Sequence, residues 1–537
     1  MVLDEYKALD QQSSGLWLQF LTRLEEQPTC KSHKVHCSND THLPLCSSFF
    51  YGREELVFTI TFERFAEQQR DMDRRVENRS IIGYPSSRQR SSWIRSTGIR
   101  VLVQLAGLHK TTKAIDTTSS QEALKCICNC IFLKESVKPY LEEEHVVDSC
   151  LYVLQSEDQR LGLETQFLTC RILFFMTVHR SDLVASLIKS NVADAIAKVL
   201  SSNLAILEDP VLRIQIDRNA AINPLTVTSE ALKLLFNLML VEARSDNAMD
   251  TNQAFKECLV PILRLLFHVP FAEPQPLVPP HAQAIHALMQ FQYTTIRQVW
   301  SEQSQWTQHL YNAKNDEHGY KYMANTLVDV LDKSIHVLIP SGDPDHDGNQ
   351  SADATIAPFL LVLVSLAEGD EAFKQAMINQ MLPKEKDRLK PVNEGSGLPA
   401  YLIRLMTSTM MPQTRDAACE TLFVLCDKDA SKFTQQVGYG NAVGFLVNKG
   451  IAMEPPQGST EAEEDVNPIT GQYVKEEKLP DLKDMTDEEK EREAERLFVL
   501  FERLKKTGII DVENPIAKAM QESQGRFEEI QSDSDSD

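Results

Sequence analysis

Glu122-Ala-Leu-Lys-Cys-Ile-Cys-Asn129 and Glu230-Ala-Leu-Lys-Leu-Leu-Phe-Asn237 are two blocks of the chain that agree at five of eight positions. Both blocks are apolar around most of a helical circumference, which is typical of a helix that is buried on two sides. Looser copies of the pattern occupy 167–175, 284–289, 358–366 and 418–426. Such helices need neighbours on both sides, so the repetition predicts a stack of inner helices.

Amphipathic segments lie between these blocks, and their order indicates the fold class. They occupy 146–155, 182–188, 192–200, 260–267, 324–337 and 397–406. Two or three helices per unit, repeating at roughly 40–55 residues, are typical of armadillo and HEAT repeats. Strand alternation and βαβ units are absent from the sequence. We therefore predict an all-α, armadillo/HEAT-like right-handed superhelix.

The chain beyond the repeats carries one further predicted helix. Thr486-Asp-Glu-Glu489 has the form of a capping box, and Gly508 can end the helix in a left-handed conformation. Its apolar residues fall on one face: Leu497, Phe498, Phe501 and Leu504. We therefore divide the chain into N-terminal helices with an irregular segment (1–100), an armadillo/HEAT-like repeat domain (101–450), an acidic flexible linker (451–484), a C-terminal amphipathic helix (485–508) and an acidic disordered tail (509–537).

Charge and hydropathy exclude several classes of partner. The 537 residues carry a net charge of −22, and −13 of it lies between Glu454 and Asp537, which hold 24 acidic and 11 basic residues. This charge disfavours nucleic acids and anionic membrane surfaces. We find no apolar run long enough for a transmembrane helix and no secretory signal. We therefore expect a monomeric cytoplasmic protein whose 11 cysteines are reduced.

Motifs for bond-making chemistry are missing from the sequence. There is no phosphate-binding Gly-Lys-Ser/Thr loop, no dinucleotide-binding glycine triplet, no His-Glu-x-x-His and no serine nucleophile elbow. We therefore expect a protein that is not an enzyme, that has no catalytic residue and that needs no cofactor or metal.

Two segments contain residue types that bind metals, but other interpretations suit both. Cys30, His33, His36, Cys37, His42 and Cys46 do not have the spacing of a standard zinc module. They are open to interpretation as a zinc site, an irregular loop or a mis-joined exon. Asp343-Pro-Asp-His-Asp-Gly348 copies the first half of a calcium-binding EF-hand loop, yet Ala354 stands where the bidentate Glu is required. A solvated, Asp-rich turn is the alternative.

Polar residues on the inner helices are the candidate binding residues. Asn129 and Asn237 fall at equivalent points, where an amide can bond the backbone of a peptide in a concave groove. Alternatively, each amide satisfies a neighbouring helix end. Arg171 and Lys233 interrupt apolar helices, so they either reach the groove edge with their long stems or mark the ligand-binding face.

Acidic kinase-type motifs occur after the repeats. Thr460, Ser532 and Ser534 each have an acidic residue three positions later. We interpret them as candidate phosphorylation sites, with unmodified exposed segments as the alternative. A phosphate on Thr460 would add negative charge that can dock the linker on a basic patch.

Several blocks together resemble the synembryn family (resistance to inhibitors of cholinesterase), and a fungal-type member in particular. They are the two opening blocks, Arg171-Ile-Leu-Phe-Phe175, Leu402-Ile-Arg-Leu-Met406, Thr421-Leu-Phe-Val-Leu-Cys426, Gly438-Tyr-Gly-Asn-Ala442, Asn467-Pro-Ile-Thr-Gly471 and Met485-Thr-Asp-Glu-Glu-Lys490. The resemblance implies an armadillo/HEAT superhelix that chaperones G-protein α subunits and promotes GDP release.

The resemblance also implies how the partner is held. The concave groove would take the C-terminal helix of the α subunit, and the segment after the repeats would embrace the GTPase body. Recruitment to the cell cortex would then come through the α subunit. A generic armadillo scaffold that binds peptides in its groove is the alternative function.

Overall fold

The computed structural model describes the repeat region almost continuously. The described residues are 98–108, 116–133, 135–156, 161–244, 250–302, 318–451 and the short pieces 307, 310–311, 316, 466–467, 470–473, 475 and 486. All of them belong to one compact unit, Arg53–Asp537. The predicted domain boundaries near residues 100 and 450 and beyond fall mostly outside these residues, so they stay predictions.

Helices follow one another along the described residues, joined by turns and short loops. After a helical stretch at 98–105, they are α1 Thr118–Leu133, α2 Lys138–Glu143, α3 Val146–Gln155, α4 Leu163–Thr177, α5 Ser181–Lys189, α6 Val192–Glu208, α7 Pro210–Ile214, α8 Pro224–Ala243, α9 Thr251–Ala254, α10 Lys256–His268, α11 His281–Leu288, α12 Tyr293–Glu302, α13 Tyr320–Leu338, α14 Pro344–Asp347, α15 Gln350–Gly369, α16 Glu371–Met381, α17 Leu398–Leu405, α18 Pro412–Leu425, α19 Ala430–Val437 and α20 Tyr439–Asn448. The described residues contain no β-strand, only an isolated bridge between Val466 and Tyr473.

Six of these helices form one continuous stack through the described region, and we call them the inner helices. α1 packs on α4, α4 on α8, α8 on α11, α11 on α15 and α15 on α18. Each of the six apolar sequence blocks lies in one inner helix. The prediction of a stack of helices buried on two sides is therefore confirmed.

The amphipathic segments cover one side of this stack. α3 packs on α6, α6 on α10 and α10 on α12, while α13 packs on α16. These outer helices contact the inner ones, for example α3 with α4, α6 with α8 and α13 with α15. The predicted amphipathic segments lie in α3, α5, α6, α10, α13 and α17. The all-α repeat fold follows from this two-layer arrangement.

Polar caps fix where the inner helices begin. The Asn223 side chain accepts hydrogen bonds from the backbone of Leu225 and Thr226, and the Thr226 hydroxyl accepts one from the Asn223 backbone. This reciprocal capping box satisfies backbone donors that have no partner inside the helix. Asn349 caps α15 through the backbone N–H groups of the first turn. α15 therefore begins at Gln350, and Pro358 lies inside it rather than at its start.

The proline inside α15 leaves one helical carbonyl without its usual donor. Pro358 has no N–H, so the carbonyl of Ala354, four residues earlier, cannot receive the standard helical bond. The His286 ring of α11 lies within reach of the Ala354 backbone. Burial lowers the pKa of His286, which keeps the imidazole neutral. The position in α15 that lacks its helical hydrogen bond is therefore also a position where α11 contacts α15.

Two inner helices, α8 and α15, are long and apolar enough to cross a membrane by length and composition alone. The share of the apolar window that is buried against the rest of the protein is 61% in α8 and 67% in α15. Packing on both sides accounts for their apolar character.

The Asp-rich segment Asp343–Gly348 folds as a structural turn. Its middle is the one-turn helix α14, and the Asp343 side chain caps it. The Asp345 carboxylate accepts hydrogen bonds from the Ser408 hydroxyl at 2.7 Å and from the backbone N–H of Thr409 at 2.8 Å. Because its oxygens hold the turn that precedes α18, the geometry fits the structural alternative, a turn rich in Asp.

We predict that cavity formation in an inner helix is costly and that an exposed neighbour provides its control. Leu363 of α15 is fully buried, whereas Leu361 is 41% exposed. Leu363→Ala should lower the free energy of unfolding by about 2–5 kcal/mol. Leu361→Ala should change it by less than about 0.5 kcal/mol. Urea denaturation of both variants checks this, and equal losses would contradict the two-sided packing of α15.

We predict that His281 makes the fold sensitive to mild acid. The ring is 3% exposed, its centroid lies 4.3 Å from that of the Phe271 ring, and its Nε2 donates to the Val269 carbonyl oxygen at 3.2 Å. Burial lowers the pKa of His281 from 6.5 to about 4. The unfolded chain takes up this proton below pH 6.5 but the folded chain only near pH 4. Stability should therefore fall across that window, by about 3 kcal/mol for this group.

The control for this prediction is His281→Asn, which cannot titrate in the window. Its unfolding free energy should depend less steeply on pH than that of the wild type, by about one proton between pH 6 and pH 4.5. The measurement is urea denaturation at a series of pH values. Parallel pH profiles for the two proteins would show that His281 is not the responsible group.

Candidate binding surface on the inner helices

Each inner helix leaves one stripe of residues uncovered by its neighbours. These side chains are exposed or half-buried, although most of the residues directly before and after them in the sequence are buried. Ring contacts link stripes on neighbouring helices, since Phe132 lies 6.2 Å from Phe175 and Phe236 lies 6.3 Å from His286. We call this surface the inner face; it includes Asn129, Phe132, Arg171, Phe175, Lys233, Phe236, His286, Leu361 and Glu420.

The repeated sequence block builds the same ion pair twice. Lys125 contacts Glu122 at 2.9 Å in α1, and Lys233 contacts Glu230 at 3.3 Å in α8. Both pairs have the i, i+3 spacing that brings side chains together on a helix. Each also reaches α4, which lies between the two helices: Lys125 pairs with Glu164 there. The repeated block therefore forms ion pairs between successive inner helices as well as within each helix.

Glu230 is the centre of the second pair and is buried. Its side chain is 4% exposed, and it accepts from Arg171 Nε at 3.2 Å. The Arg171 guanidinium also lies 4.4 Å over the Phe167 ring. The structure therefore brings the two candidate cations, Arg171 and Lys233, together around one buried carboxylate. Both side chains still reach the inner face, and their role in binding a partner stays a prediction.

The two equivalent asparagines have different surroundings. Asn129 is half-buried, and its side chain makes no hydrogen bond to any part of the chain that the structure describes. Asn237 is 8% exposed, and its amide donates to the Thr177 hydroxyl of α4 at 2.9 Å. The Asn237 amide nitrogen therefore fits the structural alternative, because it bonds the end of a neighbouring helix. The Asn129 side chain, in contrast, has a donor and an acceptor that a ligand could use. Peptide binding by either residue stays a prediction.

An aromatic patch on the inner face was missed by the sequence analysis. Phe132 is 56% exposed, and Phe174 and Phe175 extend the patch on α4, with ring centroids 5.8 Å apart. A signal was available, because Phe132 lies three residues after Asn129 and Phe175 four after Arg171, both on the same helical face. One exposed and two half-buried aromatic rings beside the amide of Asn129 are suited to holding a peptide or a helix.

The inner face around α1, α4 and α8 is electrically balanced. Its ionic groups compensate one another within the surface, since every cation named above has a carboxylate partner. A balanced face attracts no strongly charged ligand at long range. Its selectivity should therefore come from shape, apolar contact and individual hydrogen bonds.

The described residues offer no group prepared for covalent or metal chemistry. They hold no cluster of three or more His, Cys, Asp or Glu side chains that fits a metal ion. Their eight cysteines form no disulfide, and burial raises the pKa of thiols such as Cys150 and Cys419, which opposes thiolate formation.

Other candidate residues lie outside the described part of the chain and stay predictions. They are Leu497, Phe498, Phe501 and Leu504 of the C-terminal helix, the possible phosphorylation sites Thr460, Ser532 and Ser534, and the Cys/His cluster between Cys30 and Cys46.

We predict that the ion pair across α4 and α8 is needed for stability. Arg171→Met leaves the carboxylate of Glu230 buried beside Lys233 alone, and should cost about 3 kcal/mol of unfolding free energy. Lys125→Met breaks a pair whose members are 38% and 30% exposed, and should cost less than about 1 kcal/mol. Arg171→Met with Glu230→Met should recover much of the loss. Equal effects of the two single variants in denaturant titrations would contradict this assignment.

Comparisons with known proteins agree with the sequence resemblance. The chain matches the profile of the family described as guanine nucleotide exchange factor synembryn over residues 86–524. It is 26% identical over 473 residues to Chaperone Ric-8A of Xenopus tropicalis, covering 82% of this chain and 84% of that protein. It is 24% identical over 411 residues to Chaperone Ric-8 of Drosophila pseudoobscura pseudoobscura, covering 72% and 70%.

Among solved structures, a designed armadillo repeat protein aligns with a TM-score of 0.33 and 13% identity, covering 60% of this chain and 99% of that one. The profile match, in contrast, extends over most of the chain and includes all six inner helices and the segment that follows them. The chain therefore belongs to the synembryn family of guanine nucleotide exchange factors.

Proposed function

We propose that this protein is a folding chaperone and guanine nucleotide exchange factor for the α subunits of heterotrimeric G proteins. The observation that carries the proposal is the family match over 86–524, in a chain whose inner helices present an uncovered aromatic and amide-bearing face. The relatives in Xenopus and Drosophila are named as chaperones. The partner acts in the cytoplasm and recruits this protein to the cell cortex.

The inner face takes the C-terminal helix of the α subunit. An amphipathic helix laid across α1, α4 and α8 would cover Phe132, Phe175 and Phe236, and Asn129 would bond its polar edge. Helix-in-groove recognition of this kind uses apolar anchors spaced by one helical turn. The balanced charge of the face suits such a ligand. The C-terminal helix of this protein, through Leu497, Phe498, Phe501 and Leu504, contacts the GTPase body.

Exchange needs no bond-making step, so the protein is not an enzyme in that sense. A protein that binds the nucleotide-free α subunit more tightly than the GDP-bound form must weaken GDP binding by the same factor. Drawing the C-terminal helix onto the inner face withdraws it from the nucleotide-binding domain and thereby favours the nucleotide-free form. GTP binding reverses the preference and releases the chaperone.

We predict that adding this protein to a GDP-loaded α subunit accelerates GDP release and forms a complex that GTP dissociates. Phe132→Ala removes an exposed aromatic contact and should weaken the complex about ten-fold. Asn129→Ala should weaken it by a few-fold, because a ligand hydrogen bond is lost without leaving a buried group unpaired. Fluorescence of a labelled GDP and sizing chromatography provide the measurements.

The control for this experiment is Ile214→Ala, which shortens an 84% exposed apolar side chain on α7, outside the inner helices. It should behave as wild type. Asn237→Ala is a poor test, since it also removes the buried bond to Thr177. No GDP release and no complex with the wild-type protein would overturn the proposal. Complex formation without release would favour the alternative, an armadillo scaffold that only binds.

A further inference from the structure

A short piece of chain that follows α20 lies against the end of the repeat region. We call residues 470–473 the strap. The backbone N–H of Val392 donates to the Thr470 carbonyl oxygen at 3.3 Å, and the N–H of Tyr473 donates to the Arg388 carbonyl oxygen at 2.9 Å. The segment that the sequence predicts to be a flexible linker is therefore attached to the body at this point.

Arg388 is the centre of this attachment. Its side chain is largely buried, with the residue 8% exposed. Nη1 donates to the Gly471 carbonyl oxygen at 2.9 Å and to the Gln435 carbonyl oxygen at 3.2 Å, and Nη2 donates to Gln436 Oε1 at 2.9 Å. One guanidinium thus joins the strap to the last turn of α19. A buried charge with several oxygen partners holds its geometry strongly.

The backbone conformation and the contacts of the strap depend on two of its own residues, Gly471 and Gln472. Gly471 has φ +70°, a left-handed conformation that favours glycine, and an added Cβ would come 3.0 Å from the Val392 side chain. The next residue, Gln472, is 7% exposed, and its amide donates to the Leu389 carbonyl oxygen at 3.2 Å. The strap can therefore be released from either side, by a change at Arg388 or by one at Gly471.

Attachment of the strap changes the length of the tether that leads to the C-terminal helix. With the strap docked, residues 474–484 separate it from that helix, which is 11 residues. Without it, the tether would be residues 452–484, which is 33 residues. At ~3.5 Å per extended residue the reach grows from about 40 Å to about 120 Å. For a flexible tether, effective concentration falls as the −3/2 power of the tether length, so a three-fold longer tether of that kind would lower it about five-fold.

We propose that Arg388 is a positioning residue of the exchange reaction, which anchors the strap and thereby raises the effective concentration of the C-terminal helix at the bound α subunit. This inference rests on the proposed function, in which the inner face and the C-terminal helix hold one partner together. Arg388 does not contact the partner. It acts by setting the point from which the C-terminal helix is tethered.

The test compares the affinity of full-length variants for a GDP-loaded α subunit. Arg388→Met and Gly471→Ala release the strap from opposite sides, and each should weaken binding and slow GDP release about five-fold. Arg404→Met is the matched control. Its Nη1 also donates to backbone carbonyls, those of Asn393 and Gly395, but it does not contact the strap. Arg404→Met should leave the affinity unchanged.

A double-mutant cycle separates tethering from a general loss of structure. Phe498→Asp with Phe501→Asp removes the apolar face of the C-terminal helix, and Arg388→Met should have no further effect in that background. A Gly/Ser insertion of 22 residues after Lys475 should reproduce the five-fold loss without changing Arg388.

If the wild type binds the α subunit and both strap variants bind it as tightly as the wild type does, the positioning role of Arg388 is overturned but the proposed function stands. If Arg388→Met weakens binding equally with and without the helix face, its role is structural and the inference is overturned. A wild type that does not bind overturns the proposed function itself.

Discussion

The burial of each inner helix between two others is the constraint on which the rest of the structure depends. α4 cannot cover its apolar surface without α1 on one side and α8 on the other. The carboxylate of Glu230 makes this dependence specific, because it is buried in contact with the α4 cation Arg171. Nearest-neighbour packing of this kind explains why the pattern must recur along the chain. It also leaves one stripe of each helix uncovered, and that stripe becomes the inner face.

The sequence was sufficient to predict the inner helices and the amphipathic helices that cover them, because both depend on periodicity within one segment. It could not distinguish Asn129 from Asn237, which occupy the same place in nearly the same block. The difference comes from Thr177, a residue of another helix, which takes up the amide of Asn237 alone. It also did not predict that 470–473 would be attached, since Arg388, Gln435 and Gly471 are distant in sequence and meet only in the fold. What periodicity cannot predict is the pairing of side chains across helices.

Local breaks in helical regularity are used as contacts in this fold. Pro358 interrupts the hydrogen bonds of α15, and the His286 ring lies within reach of the carbonyl of Ala354 that is left open. A carbonyl left without a donor in a buried helix would be costly, so the neutral imidazole stabilises the α11–α15 contact. Asp345 has a comparable role, since an acid-rich turn that resembles half of a calcium loop instead holds the approach to α18. His286 and Asp345 are residue types that often take part in catalysis or metal binding, but in this fold both have a structural role.

The same nearest-neighbour construction has a consequence for how such a surface could act on a partner. A helix that lies across Phe132, Phe175 and Phe236 touches three consecutive inner helices at once. It would therefore add contacts between repeats whose own interfaces are local, and binding would stiffen the stack as well as hold the ligand. Since the face is electrically balanced, most of the binding free energy must come from apolar contact, which requires the ligand helix to present its apolar side. In the proposed function this ligand is the C-terminal helix of the α subunit, and the inner face would then favour a state of the α subunit in which that helix exposes its apolar side.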